Sequence, residues 1–273
     1  MIKEIIDKLV ALLAVSALLA SCSESELWQN PQTEARDGYI MLNFKTEIPA
    51  MQEVVTRAVD PDGGGVQDMT LFCFDSYGLF ISTVKAGVTV QKPGPGEMEG
   101  TFKAEVPENT RTIHFLANQN MDEFKEDSFR NKSESEVMAV LEGSSGRMIY
   151  WGRFACDAGN DSNIAEQMAT SGNSVKLIRN HARISVDNPD NNGHIVITGF
   201  AVCNTNAFGT VAPHHPKKGF DFTWPSSDDP FVTLPVNDAK MSDITDVTSS
   251  MNQYVFECEN SACLLYTSPS PRD

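Results

Sequence analysis

Side chains that could perform catalysis or bind metals are present in the sequence, but their spacing fits neither task. His214 and His215 form the best candidate pair, yet neighbouring residues of a strand point to opposite faces, and we interpret both as loop residues. The sequence has no HEXXH motif, no CxxC motif and no Gly-x-Ser-x-Gly turn. We therefore expect a protein that is not an enzyme and that needs neither a metal nor a cofactor.

Cys22 carries the clearest chemical prediction, because of the sequence before it. The apolar run Leu9–Ala20 follows a short head with two lysines, and it is too short to cross a bilayer as a helix of about 20 residues. Such a run is typical of a signal peptide. Its end, Leu19-Ala20-Ser21-Cys22, resembles the lipobox of bacterial lipoproteins, where a peptidase cuts before the cysteine and the thiol receives a diacylglycerol. We expect removal of residues 1–21 and lipidation of Cys22. The alternative is an ordinary signal peptide with a cysteine nearby.

The last residues, Cys263–Asp273, differ in character from the rest of the chain. A reverse translation of this segment gives a transposon-derived sequencing adapter, so we interpret the segment as an artefact and exclude it from the fold prediction. We therefore expect that the native C-terminal end is replaced and that the last domain is truncated.

The charge of the chain excludes one large class of partners. The formal net charge is −16 and the isoelectric point is near 4.6. Such a surface repels phosphate backbones, so we expect no nucleic-acid partner. About 240 residues remain between the signal segment and the tail, which suits one large domain or two modest ones.

Four cysteines remain once Cys22 and the tail cysteine are set aside. They are Cys73, Cys156, Cys203 and Cys258. An exported protein permits disulfides, and the three possible pairings cannot be distinguished from the sequence. We prefer the other interpretation, in which Cys73 and Cys203 are small buried hydrophobic residues of apolar strands.

The first predicted strand, Tyr39–Ile48, shows a regular alternation. Its apolar residues fall on one face: Ile40, Leu42, Phe44 and Ile48. Polar residues fall on the other face, and a proline follows the strand. The pattern predicts a half-buried strand at the start of the first domain.

Two further stretches predict specific local structure. Met69–Asp75 is apolar on both faces, which indicates a central strand covered on each side, and Ser76-Tyr77-Gly78 turns the chain into a second strand, Leu79–Val84. Ser133 and Glu136 have the spacing of a capping box, which predicts one short helix.

The domain organisation is predicted from the turn clusters. Ser174–Val186 alternates apolar and polar residues and predicts one long or bent strand, and the dense turn cluster Asp187–Gly193 after it is the candidate domain boundary. Many short strands with turns between them favour a mainly β fold of sandwich domains. We divide the chain into a flexible tether (22–37), an N-terminal β-sandwich domain (38–187) and a truncated C-terminal β-sandwich domain (194–262).

Several stretches form a recognisable set when they are taken in chain order. Besides the lipobox, they are the strand before Arg57-Ala58, Val66–Phe80, Ile113–Asn118, Tyr150–Arg153, Leu177–Ile184 and Val202–Thr205. In this order and spacing, over most of Asp37–Asn260, they resemble the fimbrillin family of Bacteroidales-type fimbriae and their accessory lipoproteins. The resemblance implies two transthyretin-like β-sandwich domains in tandem, in agreement with the alternation found in the strands.

The resemblance also implies a mechanism. In fimbrillins an Arg-directed protease cuts after the first strand, the strand leaves, and a strand of the next subunit fills the opened groove. Carried over to this chain, Arg57 and Ala58 flank the scissile bond and Tyr39–Ile48 is the removable strand. The alternative is that Arg57 is an ordinary loop arginine, since any accessible loop can be cut.

The partners and location follow from the same resemblance. The implied partners are other fimbrial subunits, the outer membrane through the lipid anchor, and ligands on host or bacterial surfaces. The implied location is the cell surface, as a lipid-anchored protein of the outer membrane or as part of a fimbria. Whether the chain is a stalk, tip or anchor subunit stays open.

A function of a different class is a lipoprotein that binds glycans beside a nutrient importer. Tyr150, Trp151 and Trp224 are the aromatic residues that could stack on sugars, although burial in a sandwich core is the preferred interpretation. A hydrolase is the third alternative, and no set of residues supports it.

Overall fold

The fold is known from a computed structural model, which describes eleven segments of the chain. The segments are 35–48, 65–91, 100–122, 124–144, 147–185, 199–206, 208–215, 230–235, 240–241, 245–246 and 252–257. Several sequence predictions fall outside them: those on Cys22, Arg57, Ala58, Trp224 and Cys258, the boundary Asp187–Gly193, and the tail Cys263–Asp273.

Strands dominate the described part of the chain. In chain order they are β1 (Tyr39–Glu47), β2 (Met69–Phe74), β3 (Phe80–Lys85), β4 (Gly87–Gln91), β5 (Gly100–Pro107), β6 (Thr112–Ala117), β7 (Glu142–Ser144), β8 (Tyr150–Ala155), β9 (Ser174–Lys176), β10 (Ile178–Arg179), β11 (His181–Ser185), β12 (Gly199–Phe200), β13 (Cys203–Thr205), β14 (Phe208–Thr210), β15 (Lys240–Met241), β16 (Thr245–Asp246) and β17 (Asn252–Phe256). The helices are α1 (Glu134–Ala139), α2 (Ile164–Thr170) and a short 3-10 helix, Glu126–Phe129. The predicted mainly β fold is thus confirmed.

Two sheets form the main body. The first sheet has the strand order β4-β5-β1-β9, and the second has the order β10-β8-β6-β2-β3. Neighbouring strands are antiparallel except for β1 and β9, which are parallel. The two sheets pack as a sandwich; its transthyretin-like topology stays a prediction.

The core between the sheets is built from alternating residues of the first sheet and one face of the second. In β5 every second residue is buried, and β1 places Ile40, Leu42 and Phe44 in the same cluster. Leu71 of β2 and Phe115 of β6 face them from the second sheet. Burying a Leu or Phe side chain contributes roughly 1.5–3 kcal/mol, so this cluster is the main source of stability.

The second sheet is also covered on its outer face. Phe72, Leu116 and Trp151 of this face pack in a second cluster with Val137 and Met138 of α1. All residues of β2 and β6 are therefore buried. This confirms the prediction of a strand covered on each side, and the predicted hairpin is present as β2 and β3.

Both helices begin at a capping box. Ser133 caps α1 together with Glu136, as predicted. The second helix, α2, was not predicted, although Asn163 and Glu166 cap it in the same way. Its signal was an Asn-x-x-Glu spacing before an apolar residue, which is a weaker form of the Ser-x-x-Glu pattern.

The prediction of one strand over Ser174–Val186 is wrong in its continuity. The stretch forms β9 in the first sheet, β10 in the second sheet and β11, which pairs with β17. Leu177 lies at the crossing from the first sheet to the second, where its N–H donates to the Glu47 carbonyl at 2.8 Å. At the opposite border, the chain passes from β3 in the second sheet to β4 in the first sheet at Ala86, whose N–H donates to the Met69 carbonyl. Continuous chain therefore bridges both borders of the sandwich.

Gly152 gives a test of the crossing at Leu177. A Cβ atom on Gly152 would lie 2.6 Å from the Lys176 carbonyl oxygen and 2.7 Å from the Leu177 side chain. We expect Gly152→Ala to lower the free energy of unfolding by about 1–3 kcal/mol, measured by chemical denaturation, because the crossing must shift outward. The matched control is Gly87→Ala at the other border, where the nearest atom is 3.8 Å away. Equal effects of the two substitutions would contradict the packing described for the crossing.

The C-terminal part of the chain bonds to strands that precede the predicted boundary. Strand β14 pairs with β7, and β17 pairs with β11 over five residues, from His181 to Ser185. Val211, Ala212, Phe231 and Val232 join the cluster on the outer face of the second sheet. The segments that hold these four residues are therefore part of the layer that covers that sheet.

The cysteines divide between core and surface. Cys73 is buried in β2, in agreement with its interpretation as a small core residue. Burial raises the pKa of its thiol to about 12. The expectation of a buried Cys203 is wrong, since this residue is exposed in the short two-stranded sheet of β13 and β15. Cys73, Cys156 and Cys203 are free thiols among the described residues.

Candidate functional site

Strand β1 and the groove that it fills are the candidate functional site. The strand lies inside the first sheet, between β5 and β9. It pairs with β5 over eight residues, from Tyr39 opposite Pro107 to Thr46 opposite Gly100. On its other side the pairing with β9 is limited to Lys45–Glu47. The strand predicted as Tyr39–Ile48 is thus present, with Glu47 as its last paired residue.

The chain connection of β1 differs from that of its neighbours. As the first of the described strands, it joins the other described strands of the sandwich through the segment after Ile48, and the described chain resumes at Gly65. By sequence, Arg57 lies within that connection. A single cut there would leave β1 attached to the sandwich by noncovalent contacts alone.

Those contacts are mainly apolar. Phe44 is fully buried, with its ring stacked on Phe102 at a centroid distance of 5.5 Å and edge-on to Phe115 at 5.0 Å. Leu42 is also buried. The departure of β1 would uncover the inward side chains of β5 and of the facing sheet, and so would open an apolar groove the length of a strand.

The charged contacts of β1 are exposed and contribute little. Arg36, just before β1, places its Nε 2.6 Å from Glu105 Oε2 of β5, whereas the pair of Lys45 Nζ and Glu47 Oε1, at 3.7 Å, lies within β1 and joins it to no other strand. Ion pairs of this kind are typically worth about 0–1 kcal/mol and are weakened by salt. The strand is therefore retained by the apolar core rather than by charge.

Helix α2 covers the side of β1 that β9 leaves unpaired. Ile164, Ala165 and Met168 of this helix belong to the same core cluster as β1, and Asn173, just after the helix, accepts a hydrogen bond from the Lys45 N–H. Covering a strand edge with a helix is a known way to prevent uncontrolled pairing with other chains.

A second candidate site is a buried polar network on the outer face of the second sheet. His114 Nε2 lies 2.7 Å from Glu134 Oε2, and Arg153 Nε lies 2.6 Å from the same oxygen. Trp151 Nε1 donates to His114 Nδ1 at 3.0 Å. Since an indole N–H can only donate, Nδ1 must accept, and His114 is neutral with its proton on Nε2.

The electrostatics of this network are set by burial and hydrogen bonding. Burial lowers the pKa of His114, since it disfavours the charged imidazolium more than the bond to Glu134 favours it. Burial alone would raise the pKa of Glu134, but the hydrogen bonds from His114 and Arg153 lower it to about 2. Glu134 is therefore an ionised acceptor for two buried donors.

The network contains the groups of an acid–base site, but a substrate cannot reach them. His114 is fully buried, and both ring nitrogens are engaged by Trp151 and Glu134. A catalytic imidazole must reach a substrate proton, directly or through one water. The arrangement joins α1 to the second sheet, and it is structural.

Other chemistry is limited in the part of the chain that the structure describes. There, no group of three or more His, Cys, Asp and Glu residues could hold a metal ion. His214 and His215 are in ring contact at 4.3 Å, and His214 Nδ1 bonds the Val232 carbonyl, which agrees with loop residues held by the backbone. Within the described residues, no helix combines the length and apolar character needed to span a membrane.

The predicted aromatic platform is not formed by Tyr150 and Trp151. Both are buried, with exposures of 1% and 0%, so neither offers a face to a sugar. The interpretation as core residues is confirmed for both.

The comparisons with known proteins give structural neighbours only. A scan against protein-family models and a search of curated proteins each give no match. Among solved structures, a fimbrial assembly protein from Parabacteroides distasonis is 11% identical, with 81% of this chain and 79% of that chain covered and a TM-score of 0.45.

Two further neighbours are candidate cell adhesion proteins. One, from Bacteroides eggerthii, is 12% identical, with 81% and 71% coverage and a TM-score of 0.39. The other, from Parabacteroides distasonis, is 14% identical, with 81% and 71% coverage and a TM-score of 0.47. These three names are of the class that the fimbrillin resemblance implies, fimbrial and adhesion proteins of Bacteroidales.

Proposed function

We propose that this chain is a structural or adhesive subunit of a fimbrial assembly on the bacterial surface, joined to other subunits by strand exchange. In this proposal the lipid on Cys22 first anchors the chain to the outer membrane. A protease then cuts at Arg57-Ala58, β1 leaves its groove, and a strand of another subunit takes its place.

The observation that supports the proposal best is the position of β1. It is an interior strand with one chain connection to the sandwich, and continuous chain bridges both borders of the sandwich. Loss of β1 therefore opens a groove between β5 and β9 while the borders stay closed. The groove would expose unpaired backbone groups and apolar pockets, and an extended peptide satisfies both.

The order of the sites along the chain adds a consequence. Cys22 and β1 both precede Arg57, so the cut places the lipid and the removable strand on one fragment and the body of the sandwich on the other. Loss of β1 would then also release the body from the membrane. Cleavage and assembly are coupled in this proposal.

We expect Arg57→Gln to abolish assembly, and to abolish release as well when Arg36, the exposed arginine between Cys22 and β1, is also replaced by Gln. Cells expressing the full chain are labelled with a radioactive fatty acid and treated with an Arg-specific protease. In the wild type the label should stay with the short fragment that contains Cys22, while the body appears in the medium as multimers on size exclusion. In Arg57→Gln, β1 should stay joined to the body and no multimers should form. When Arg36→Gln is added to this variant, the label should stay on the intact chain.

Arg36→Gln is the matched control for this experiment. Arg36 is exposed and lies between Cys22 and β1, so a cut there would separate the lipid from the body and leave β1 joined to the body through the connection after Ile48. Arg36→Gln removes that route, so release and multimers in this variant should depend on the cut at Arg57 alone and should be unchanged. Multimers that form equally well from uncut Arg57→Gln would refute the proposed role of the cut, and absence of label from the wild type would refute the anchor.

A further inference from the structure

Strand β1 carries one polar residue on its buried face. Every second residue from 40 to 48 points into the core, the last of them just after the end of β1. Four of these five inward positions hold apolar side chains: Ile40, Leu42, Phe44 and Ile48. The remaining position holds Thr46, which is fully buried. Its hydroxyl oxygen has no hydrogen-bond partner among the described residues.

The surroundings of Thr46 within the described structure are apolar. It is paired with Gly100 of β5 and with Val175 of β9. A Cβ atom on Gly100 would lie 2.5 Å from the ring of Phe102 and 3.4 Å from the Thr46 hydroxyl, so the ring and the threonine side chain share the space above this glycine. Val175 and Phe102 are both buried in the core cluster.

A buried hydroxyl without a hydrogen-bond partner in apolar surroundings weakens the binding of β1 in its groove. Water satisfies the hydroxyl when β1 is outside the groove, and nothing in the described surroundings replaces that bond when β1 is inside. Valine has nearly the shape of threonine and needs no hydrogen bond. The pocket at position 46 therefore fits a small β-branched apolar side chain better than it fits the threonine of the chain itself.

We infer that Thr46 lowers the affinity of β1 for its own groove, and that the groove binds more tightly an incoming strand with a valine-like residue at the position of Thr46. The inference rests on the proposed strand exchange and adds the chemistry of the donor. The donor is an extended segment of another subunit with large apolar side chains at the positions of Ile40, Leu42 and Phe44. Its valine-like residue makes replacement of β1 favourable, so that exchange runs in one direction.

The test uses the full chain, cut with an Arg-specific protease, and fluorescent synthetic peptides that cover residues 38–49. One peptide has the native sequence and a second carries Thr46→Val. We expect the valine peptide to enter the groove with a dissociation constant lower by about tenfold, the factor that corresponds to the usual cost of one unsatisfied buried hydroxyl. Fluorescence anisotropy measures binding. A third peptide with Thr46→Ser keeps the hydroxyl and loses a methyl group, and it should bind more weakly than both.

A second measurement separates this inference from the proposed strand exchange. In the uncut full chain, Thr46→Val should raise the denaturant midpoint and Thr46→Ser should lower it. If the native and valine peptides bind equally and the midpoint does not rise, strand exchange stands and the inference on Thr46 is overturned. If no peptide enters but the midpoint rises, the weak point in β1 stands and both strand exchange and donor selection are overturned.

Discussion

Replacing Phe44 with alanine is expected to lower the free energy of unfolding by about 3–5 kcal/mol. Phe44 is fully buried at the middle of β1, and its ring contacts Phe102 of the same sheet and Phe115 of the opposite sheet. The substitution removes the apolar area of the ring and leaves a cavity between two sheets that cannot both move inward, since continuous chain bridges both borders. Chemical denaturation followed by tryptophan fluorescence measures the loss.

The control for Phe44→Ala is Tyr77→Ala in the turn between β2 and β3. Tyr77 is an aromatic residue of similar size with 86% of its surface exposed, so its removal should change the free energy of unfolding by about 0.5 kcal/mol or less. A loss of free energy of unfolding below about 1 kcal/mol for Phe44→Ala would mean that the ring of Phe44 does not hold β1 in the sheet.

The same substitution has a consequence for exchange. If Phe44 is the main anchor of β1, the cut Phe44→Ala chain should lose β1 at a lower denaturant concentration than the cut wild type. The empty groove would still contain Phe102 and Phe115, so a native peptide of residues 38–49 should enter it. Hydrogen exchange at the amides of β5 would report the loss and the refilling.

The sequence predicts the parts of this fold that depend on short-range patterns. Strand β1 alternates with period 2, β2 is apolar at each position of MTLFCF except Thr70, and Ser133 with Glu136 forms a capping box. Each of these features is decided within ten residues or fewer. The candidate groove could be located in this way, because the residues that fill it belong to one strand.

Other parts of the fold could not be predicted, because they depend on residues far apart in the chain. The alternation over Ser174–Val186 continues through the crossing at Leu177, and nothing in a period-2 pattern says that the chain changes sheets there. Glu134 and Arg153 are 19 residues apart, and a glutamate in the first turn of a helix normally faces water. Only the fold brings the two side chains together.

Replacing Glu134 with alanine is expected to lower the free energy of unfolding by about 3–5 kcal/mol at pH 7. The substitution leaves the buried guanidinium of Arg153 and the Nε2–H of His114 without their shared acceptor. Removing the carboxylate acceptor of a buried charge costs more than the pair itself contributed, because water does not replace the lost acceptor. Chemical denaturation measures this loss too, and Glu134→Gln should recover part of it, since its amide oxygen can still accept one bond.

The control for Glu134→Ala is a second Arg–carboxylate pair of similar length on the surface. Arg130 Nη2 lies 2.9 Å from Asp127 Oδ1, but both side chains are more than 70% exposed. Removing the Asp127 carboxylate with Asp127→Ala should therefore change the free energy of unfolding by at most about 1 kcal/mol. Equal losses for Asp127→Ala and Glu134→Ala would contradict the burial described for the network.

The pH dependence of stability distinguishes the charge of Glu134 from its packing. The fold lowers the pKa of this carboxyl from 4.5 to about 2, so its contribution is complete above pH 4.5 and is lost as the pH falls toward 2. The loss should amount to about 3 kcal/mol over that range. Glu134→Gln has no such carboxyl, and its stability should fall less steeply between pH 4.5 and 2 than that of the wild type.

His114 adds a separate loss of stability below about pH 6.5, because the unfolded chain takes up a proton that the buried ring does not. Since Glu134→Gln retains His114, parallel curves for the two proteins between pH 4.5 and 2 would show that the carboxylate of Glu134 is not the charge that holds α1 on the sheet.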